Sequence, residues 1–194
     1  MKLYLIRHGE TTSDVEDRYG GSYDDHLTPR GVSQADELVR ELHGVGIQAF
    51  FTSPLIRARE TADILSNGIG VNIEEVVEDL RERNFCGKLT GMVKKEAREK
   101  FPKLVEELEA DKYATIDGAE EFEHFRNRIG RAFLELTQKP FETIAVVTHG
   151  GPLWLLFKEV FNAGEVKRVD DCGFAIIQSQ NGIHIVERTE GFLF

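Results

Sequence analysis

The chain has 194 residues, enough for one domain (residues 1–194) with a core of its own. Its formal net charge of -10 argues against a nucleic-acid partner, whose phosphates need a basic surface, yet leaves room for a local cationic pocket that holds a small phosphorylated substrate. No apolar stretch reaches the roughly 20 residues that span a bilayer, so no membrane partner is expected, and the two cysteines, Cys86 and Cys172, read as reduced thiols of a cytoplasmic protein.

The first element is the short apolar run Lys2-Leu3-Tyr4-Leu5-Ile6, which ends at Arg7-His8-Gly9-Glu10 and reads as a buried strand. It starts directly after Met1, so no secretory leader is expected. Residues 12–26 carry no periodicity and read as a loop. Residues 29–43 place Val32, Ala35, Leu38, Val39 and Leu42 on one stripe, a helix with Thr28 as N-cap and Pro29 at its first position. Residues 48–51 are a strand candidate. Residues 55–65 read as a helix broken at Asn67-Gly68, and residues 71–77 as a strand. A second loop covers residues 83–91. Residues 93–109 form one or two charged helices interrupted at Pro102. Residues 120–136 carry Phe122, Phe125, Ile129, Ala132, Phe133 and Leu136 at helical spacing. A second apolar run, Thr143-Ile144-Ala145-Val146-Val147, leads into Thr148-His149-Gly150-Gly151. A buried helix follows over residues 152–161. Residues 174–177 and 183–186, separated by Gln180-Asn181-Gly182, read as a closing hairpin. Strands alternating with helices and ending in a hairpin predict an α/β fold, a three-layer α/β/α sandwich with a mainly parallel sheet and an antiparallel edge strand.

The two apolar runs repeat one design, in which a buried strand delivers a histidine to its C-terminal end. Ligands of open α/β sheets bind at that edge. Two histidines there, one next to Arg7, point to a site for an anion. The two loops each follow functional-looking residues and are read as parts of that site.

Five segments stand in a fixed order: Arg7-His8-Gly9-Glu10-Thr11; Leu27-Thr28-Pro29-Arg30-Gly31; Ser53-Pro54-Leu55-Ile56-Arg57-Ala58 with Thr61-Ala62; Leu80-Arg81-Glu82; and Thr148-His149-Gly150-Gly151. This series resembles the histidine phosphatase superfamily, in its phosphoglycerate-mutase-like branch, from residue 2 to about residue 160. The resemblance implies that His8 is the nucleophile and forms a phosphohistidine, with its other ring nitrogen bound to a backbone carbonyl. It implies that Arg7 and Arg57 clamp the phosphoryl oxygens, that His149 donates to the same oxygens, and that Glu82 serves as general acid and then general base. The arginines also disfavour protonation of His8. Substrate contacts are expected from Arg7, Arg57, His149, Gly20, Gly21 and Gly150, with Asp14, Arg83 and Lys94 as further candidates. Tyr23 and Phe85 are lip candidates beside them, and specificity is expected from residues 12–26, from residues 83–95 and from residues near Tyr113. No metal is required on this reading. The acidic loop of Asp14, Glu16, Asp17, Asp24, Asp25 and His26 fits neither an EF-hand nor a His-Glu-x-x-His helix.

Three features separate the readings within this branch. Asp14 stands where family members usually carry Asn, and a carboxylate there repels a phosphoryl dianion unless it is protonated, turned away or paired with Arg18. Residues 18–24 and 82–91 resemble the mutase form. Against that, Gly151 replaces the usual mutase Asn, and the stretch from Gly91 to Asp117 is too short for the insertion that closes a mutase site. A more open site admits water to the phosphohistidine, so hydrolysis of a small phosphorylated metabolite is favoured, without any cofactor. The alternative is a phosphoglycerate mutase that uses 2,3-bisphosphoglycerate. A second alternative, resting on Asp14, is a non-catalytic module that binds a phospho-ligand. Nothing in the chain indicates oligomeric state; the apolar Phe192-Leu193-Phe194 packs either on the domain or on a partner.

Overall fold

A computed structural model describes residues 1–111 and 115–194, so Tyr113 lies outside the described residues. The first half contains β1 (Lys2–Arg7), α1 (Thr12–Val15), α2 (Pro29–Leu42), β2 (Ala49–Thr52), α3 (Ile56–Ile69) and β3 (Ile73–Val76). The second half contains α4 (Lys94–Lys100), α5 (Pro102–Ala110), α6 (Phe122–Leu136), β4 (Thr143–Thr148), α7 (Gly150–Leu155), β5 (Arg168–Gln180) and β6 (Ile183–Leu193). Among the described residues the strands form one sheet in the order β3-β2-β4-β1-β5-β6. Strands β1 to β4 pair in parallel, and β5 runs antiparallel to both β1 and β6. The sheet is thus mainly parallel, and a hairpin supplies its antiparallel edge.

Why the central strands read as unbroken apolar runs follows from the layers. Side chains alternate between the two faces of a strand, and here both faces are covered. Leu3, Leu5, Ile144 and Val146 pack on one side with Phe125, Ile129 and Phe133 of α6 and Leu153 of α7. Tyr4, Ile6, Ala145 and Val147 pack on the other with Ala35, Leu38 and Leu42 of α2 and Ala58, Ala62 and Leu65 of α3. A smaller cluster of Tyr19, Cys86, Leu89, Ala97, Val105 and Leu108 ties α4 and α5 to the two loops.

Helix α2 starts where its sequence indicates. The Thr28 hydroxyl accepts the Gly31 amide at 3.0 Å, and Pro29 occupies the first turn. Helix α3 corrects an expectation: it runs through Asn67-Gly68 to Ile69 and ends at Gly70, whose φ of +79° terminates it. The glycine has a packing role rather than a breaking one. A Cβ on Gly68 would lie 2.7 Å from Val39 Cγ1, so glycine is what lets α2 and α3 approach. Residues 12–26 are not all loop either, because Thr11 caps the single turn of α1 in a capping box with Asp14. The buried helix begins earlier than expected, at Gly150 directly behind His149, and passes into a π-helical turn at Leu156–Val160.

The hairpin is longer than its apolar cores, since pairing on the sheet edge does not require both faces to be buried. Its turn, Asn181-Gly182, has positive φ at both residues, 50° and 76°, as a two-residue hairpin demands. The register of β5 against β6 shifts between Val169 and Phe174, where Cys172 adopts φ +56°. The terminal aromatics pack on the domain, with Phe192 and Phe194 at 4.9 and 5.9 Å from the Phe157 ring. No helix among the described residues is long and apolar enough to cross a membrane.

Candidate active site

Parallel pairing in register explains how two distant histidines meet. Lys2 lies opposite Thr143, and the register continues to Arg7 opposite Thr148, so the next residues are His8 and His149. The His8 amide donates to the Thr148 carbonyl at 3.1 Å, and the two imidazole centroids are 5.1 Å apart. Both rings are buried. His8 Nδ1 lies 2.8 Å from the Gly9 carbonyl, which can only accept, so Nδ1 carries the proton and Nε2 keeps a lone pair.

Arg57, on the first turn of α3, is also buried, and its Nε donates to His8 Nε2 at 3.1 Å. Its Nη1 donates to the Tyr23 carbonyl and to Asp25 Oδ1, and its Nη2 donates to the Gly21 carbonyl. One of the five guanidinium hydrogens is thereby left for a ligand. Gly21 is forced by its left-handed backbone, φ +59°, and Gly20 lies beside it near Ser13. Arg7 is held differently. The irregular stretch of β5 presents the Val169 carbonyl at 2.6 Å and the Asp171 carboxylate at 3.0 Å to its Nη1, while the Cys172 amide donates to the His8 carbonyl. Nε and Nη2 of Arg7 have no protein partner among the described residues.

The acidic loop has structural duties. Asp25 bridges Arg57 and the Ser13 amide, and Asp24 accepts the Ile56 amide at the start of α3. Asp17 pairs with Lys94, Glu16 with Arg18, and His26 with Glu60. Asp14 turns to its own cap, accepting from Thr11 N and Oγ1 at 3.0 and 2.8 Å, and does not pair with Arg18. Glu10 likewise accepts from Thr28. No cluster of three or more metal-ligating side chains stands among the described residues.

Glu82 follows a 3-10 turn, Glu78–Leu80, and reaches towards α7. Its carboxylate accepts the Arg83 amide at 2.8 Å and the Gly151 amide at 2.9 Å. A side chain at Gly151 would overlap that carboxylate, so glycine is required after His149-Gly150. A cavity of about 800 Å³ opens beside Glu82, Gly150 and Gly151, walled by Phe85, Leu108, Phe122, Trp154, Val166 and Val169. Arg83 and Lys94 also line it; Tyr23 does not, its ring lying against Gly91 instead. Behind Glu82, Arg128 is fully buried and donates to the carbonyls of Asp79, Arg81 and Glu82 and to both carboxylate oxygens of Glu120. Nothing in the sequence singles out Asp171 or Arg128; Asp25 reads only as part of the acidic loop, and Glu120 as an acid ahead of α6 that suits a helix N-terminus equally well.

Burial, followed by the Arg57 and Arg7 charges, holds His8 well below the ordinary imidazole range. Burial and Arg57 do the same to His149. Burial pushes the Glu82 carboxyl up, against the pull of the two amides and of Arg57 and Arg128. The site therefore pairs two neutral imidazoles with a carboxyl biased towards its protonated form. A stability test follows. As pH falls through about 6.5, the unfolded chain protonates both histidines and the folded chain does not. Stability is then lost at up to ~1.4 kcal/mol per pH unit for each ring. Urea midpoints at pH 7.5 and 5.5 should fall further apart in the wild type than in His8→Ala, which lacks one of the two rings.

Residues 3–190 match the family described as the histidine phosphatase superfamily (branch 1). The chain is 30% identical over 160 residues to the adenosylcobalamin/alpha-ribazole phosphatase of Escherichia coli, covering 80% of this chain and 77% of the relative. It is 31% identical over 160 residues to phosphoserine phosphatase 1 of Hydrogenobacter thermophilus, covering 81% and 74%. The crystal structure of a phosphoglycerate mutase from Bacillus anthracis aligns with a TM-score of 0.83 at 25% identity, covering 98% of this chain and 92% of that one.

Proposed function

The chain belongs to the histidine phosphatase superfamily, and on that premise we propose that it hydrolyses phosphomonoesters through a phosphohistidine on His8. The observation that carries this reading is the lone pair of His8 Nε2, kept neutral and buried, with Arg57 Nε 3.1 Å away and the His149 ring beside it. A phosphoryl dianion is a stronger acceptor than imidazole, so it draws the Arg57 Nε–H onto one of its oxygens and frees the nucleophile. Nε2 then attacks phosphorus. As the ester P–O bond breaks, Glu82 protonates the departing oxygen. In the second step water attacks phosphorus, Glu82 takes up the water proton, and the P–N bond breaks to release phosphate and restore His8. Arg7, Arg57 and His149 hold the charge on the phosphoryl oxygens throughout. Neither step calls for a metal ion or for 2,3-bisphosphoglycerate.

The cavity beside Glu82 receives the alcohol, and its aromatic and aliphatic wall favours an apolar leaving group of substantial size. The same opening gives water a path to the phosphohistidine, which favours hydrolysis over return of the phosphoryl group to another hydroxyl. Transfer between hydroxyls, as in the mutase relative, is the second reading. A phosphomonoester panel run with and without 2,3-bisphosphoglycerate separates the two: hydrolysis without the bisphosphate supports the first, and exchange that depends on it overturns the first. Acid lability of a trapped phosphoryl label reports the histidine linkage.

Glu82→Gln gives a sharper signature. Glutamine keeps the shape and cannot protonate a leaving oxygen. An alkyl phosphate, which needs that proton, should lose roughly 10²–10⁴-fold in kcat/KM. 4-Nitrophenyl phosphate, whose leaving group departs unprotonated, should lose far less. Equal losses on both esters would remove Glu82 from the acid role.

A further inference from the structure

We propose that Ser53 sets the tautomer of His149, so that His149 presents Nδ1–H to a phosphoryl oxygen. This rests on the phosphatase reading for its consequence, though not for its geometry. Strand β2 lies parallel to β4 with Thr52 opposite Val147, and the Ser53 amide donates to the Val147 carbonyl at 2.9 Å. That register puts the Ser53 hydroxyl 2.6 Å from His149 Nε2, with both residues fully buried.

The proton between them can be assigned by counting. A hydroxyl has one hydrogen and two acceptor lone pairs. The Leu55 amide already donates to Ser53 Oγ at 3.3 Å, which uses one lone pair. If Nε2–H donated to the second, the hydroxyl hydrogen would be left buried without an acceptor, at a cost typical of an unsatisfied polar group. If instead Oγ–H donates to Nε2, the chain from Leu55 N–H to Ser53 O–H to His149 Nε2 is satisfied throughout. The imidazole proton then sits on Nδ1.

Nδ1 of His149 is the one buried side-chain polar atom left without a hydrogen-bond partner among the described residues. A buried donor without a partner marks a place where a ligand supplies the acceptor. The His8 ring stands 5.1 Å away. Both histidines thus carry their proton on Nδ1, yet they face the ligand with opposite atoms. The Gly9 carbonyl binds Nδ1 of His8 and leaves Nε2 as a nucleophile, whereas Ser53 binds Nε2 of His149 and leaves Nδ1–H as a donor. One ring attacks phosphorus and the other stabilises its oxygens because their anchors grip different nitrogens. Ser53 is a positioning residue: it acts on the phosphoryl group only through His149.

Long-range ¹H–¹⁵N spectra of ¹⁵N-labelled protein read the tautomer directly, without any substrate. His149, identified by its loss in His149→Asn, should show a protonated Nδ1 and an unprotonated Nε2. In Ser53→Ala the ring should shift towards the Nε2–H form. The kcat should then fall at least ~10-fold, short of the roughly 10²–10³-fold expected for losing a transition-state donor outright, and Ser53→Thr should recover part of it. A wild-type spectrum with the proton on Nε2 overturns the proposal, whatever the variants do. So does Ser53→Ala with an unchanged tautomer and unchanged kcat. An Nδ1–H spectrum in a protein that hydrolyses no phosphomonoester instead sinks the functional reading and leaves the tautomer assignment standing.

Discussion

His8→Ala is expected to lower kcat/KM on any phosphomonoester by at least roughly 10⁴-fold, and to abolish the acid-labile phosphoenzyme. In the proposed mechanism a phosphohistidine splits one difficult displacement into two, and no neighbouring group can take over. His149 is turned the wrong way, with Nε2 held by Ser53, and the two cysteines cannot stand in. Burial pushes both thiols up to about 12, far from a thiolate at neutral pH. What survives is the binding half of the site. Arg7, Arg57 and His149 still attract the dianion, so vanadate or phosphate should bind the variant with modest change. Steady-state rates, an acid-quenched label and a vanadate titration together check the expectation. A variant that retains more than a hundredth of wild-type turnover would place the nucleophile elsewhere.

Arg128→Met should cost about 3–5 kcal/mol of stability, measured by urea unfolding. Arg128 spends its whole guanidinium on protein: Nε and Nη2 fork onto Glu120 at 2.7 and 2.8 Å, Nη1 reaches the Asp79 and Arg81 carbonyls at 2.6 and 2.7 Å, and Nη2 reaches Glu82 O at 3.2 Å. Methionine fills similar volume and satisfies none of these. It takes from Glu120 the principal partner whose bonds, with the His124 hydrogen bond and the Arg81 charge, outweigh burial and hold that carboxyl below its ordinary range. It also frees the backbone on both sides of Glu82. The catalytic signature should therefore resemble that of Glu82→Gln, with alkyl phosphates losing more than 4-nitrophenyl phosphate. A stability loss below about 1 kcal/mol, or an equal loss on both esters, would deny that Arg128 holds the acid in place.

Much of the architecture was legible because it is written in local signals. The Thr28-Pro29 start of α2 needs only a cap and a ring that pre-sets φ. The doubly buried strands need only continuous apolar runs, and the Asn181-Gly182 turn needs two residues that tolerate positive φ. Legibility fails where a residue's role depends on a distant element. Asn67-Gly68 looks like a helix end, yet α3 continues to Ile69, and Gly68 serves instead as the place where Val39 of α2 comes close. The hairpin extends beyond its apolar cores because strand pairing on an edge tolerates polar residues.

The sequence by itself determined the candidates for the site: two apolar runs ending in His-Gly single out His8 and His149, with Arg7 beside the first, and the resemblance to the family adds Arg57 and Glu82. Only the tertiary structure decided how each is held. Asp171 lies far along the chain from Arg7, and Arg128 far from the carbonyls it binds, and no local pattern encodes such pairs. Which nitrogen of each imidazole faces the ligand was likewise undecided until the Gly9 carbonyl and the Ser53 hydroxyl were in place. The physical reason is that a residue's type fixes which protons it can hold, while the partners that folding brings to it select the one it keeps.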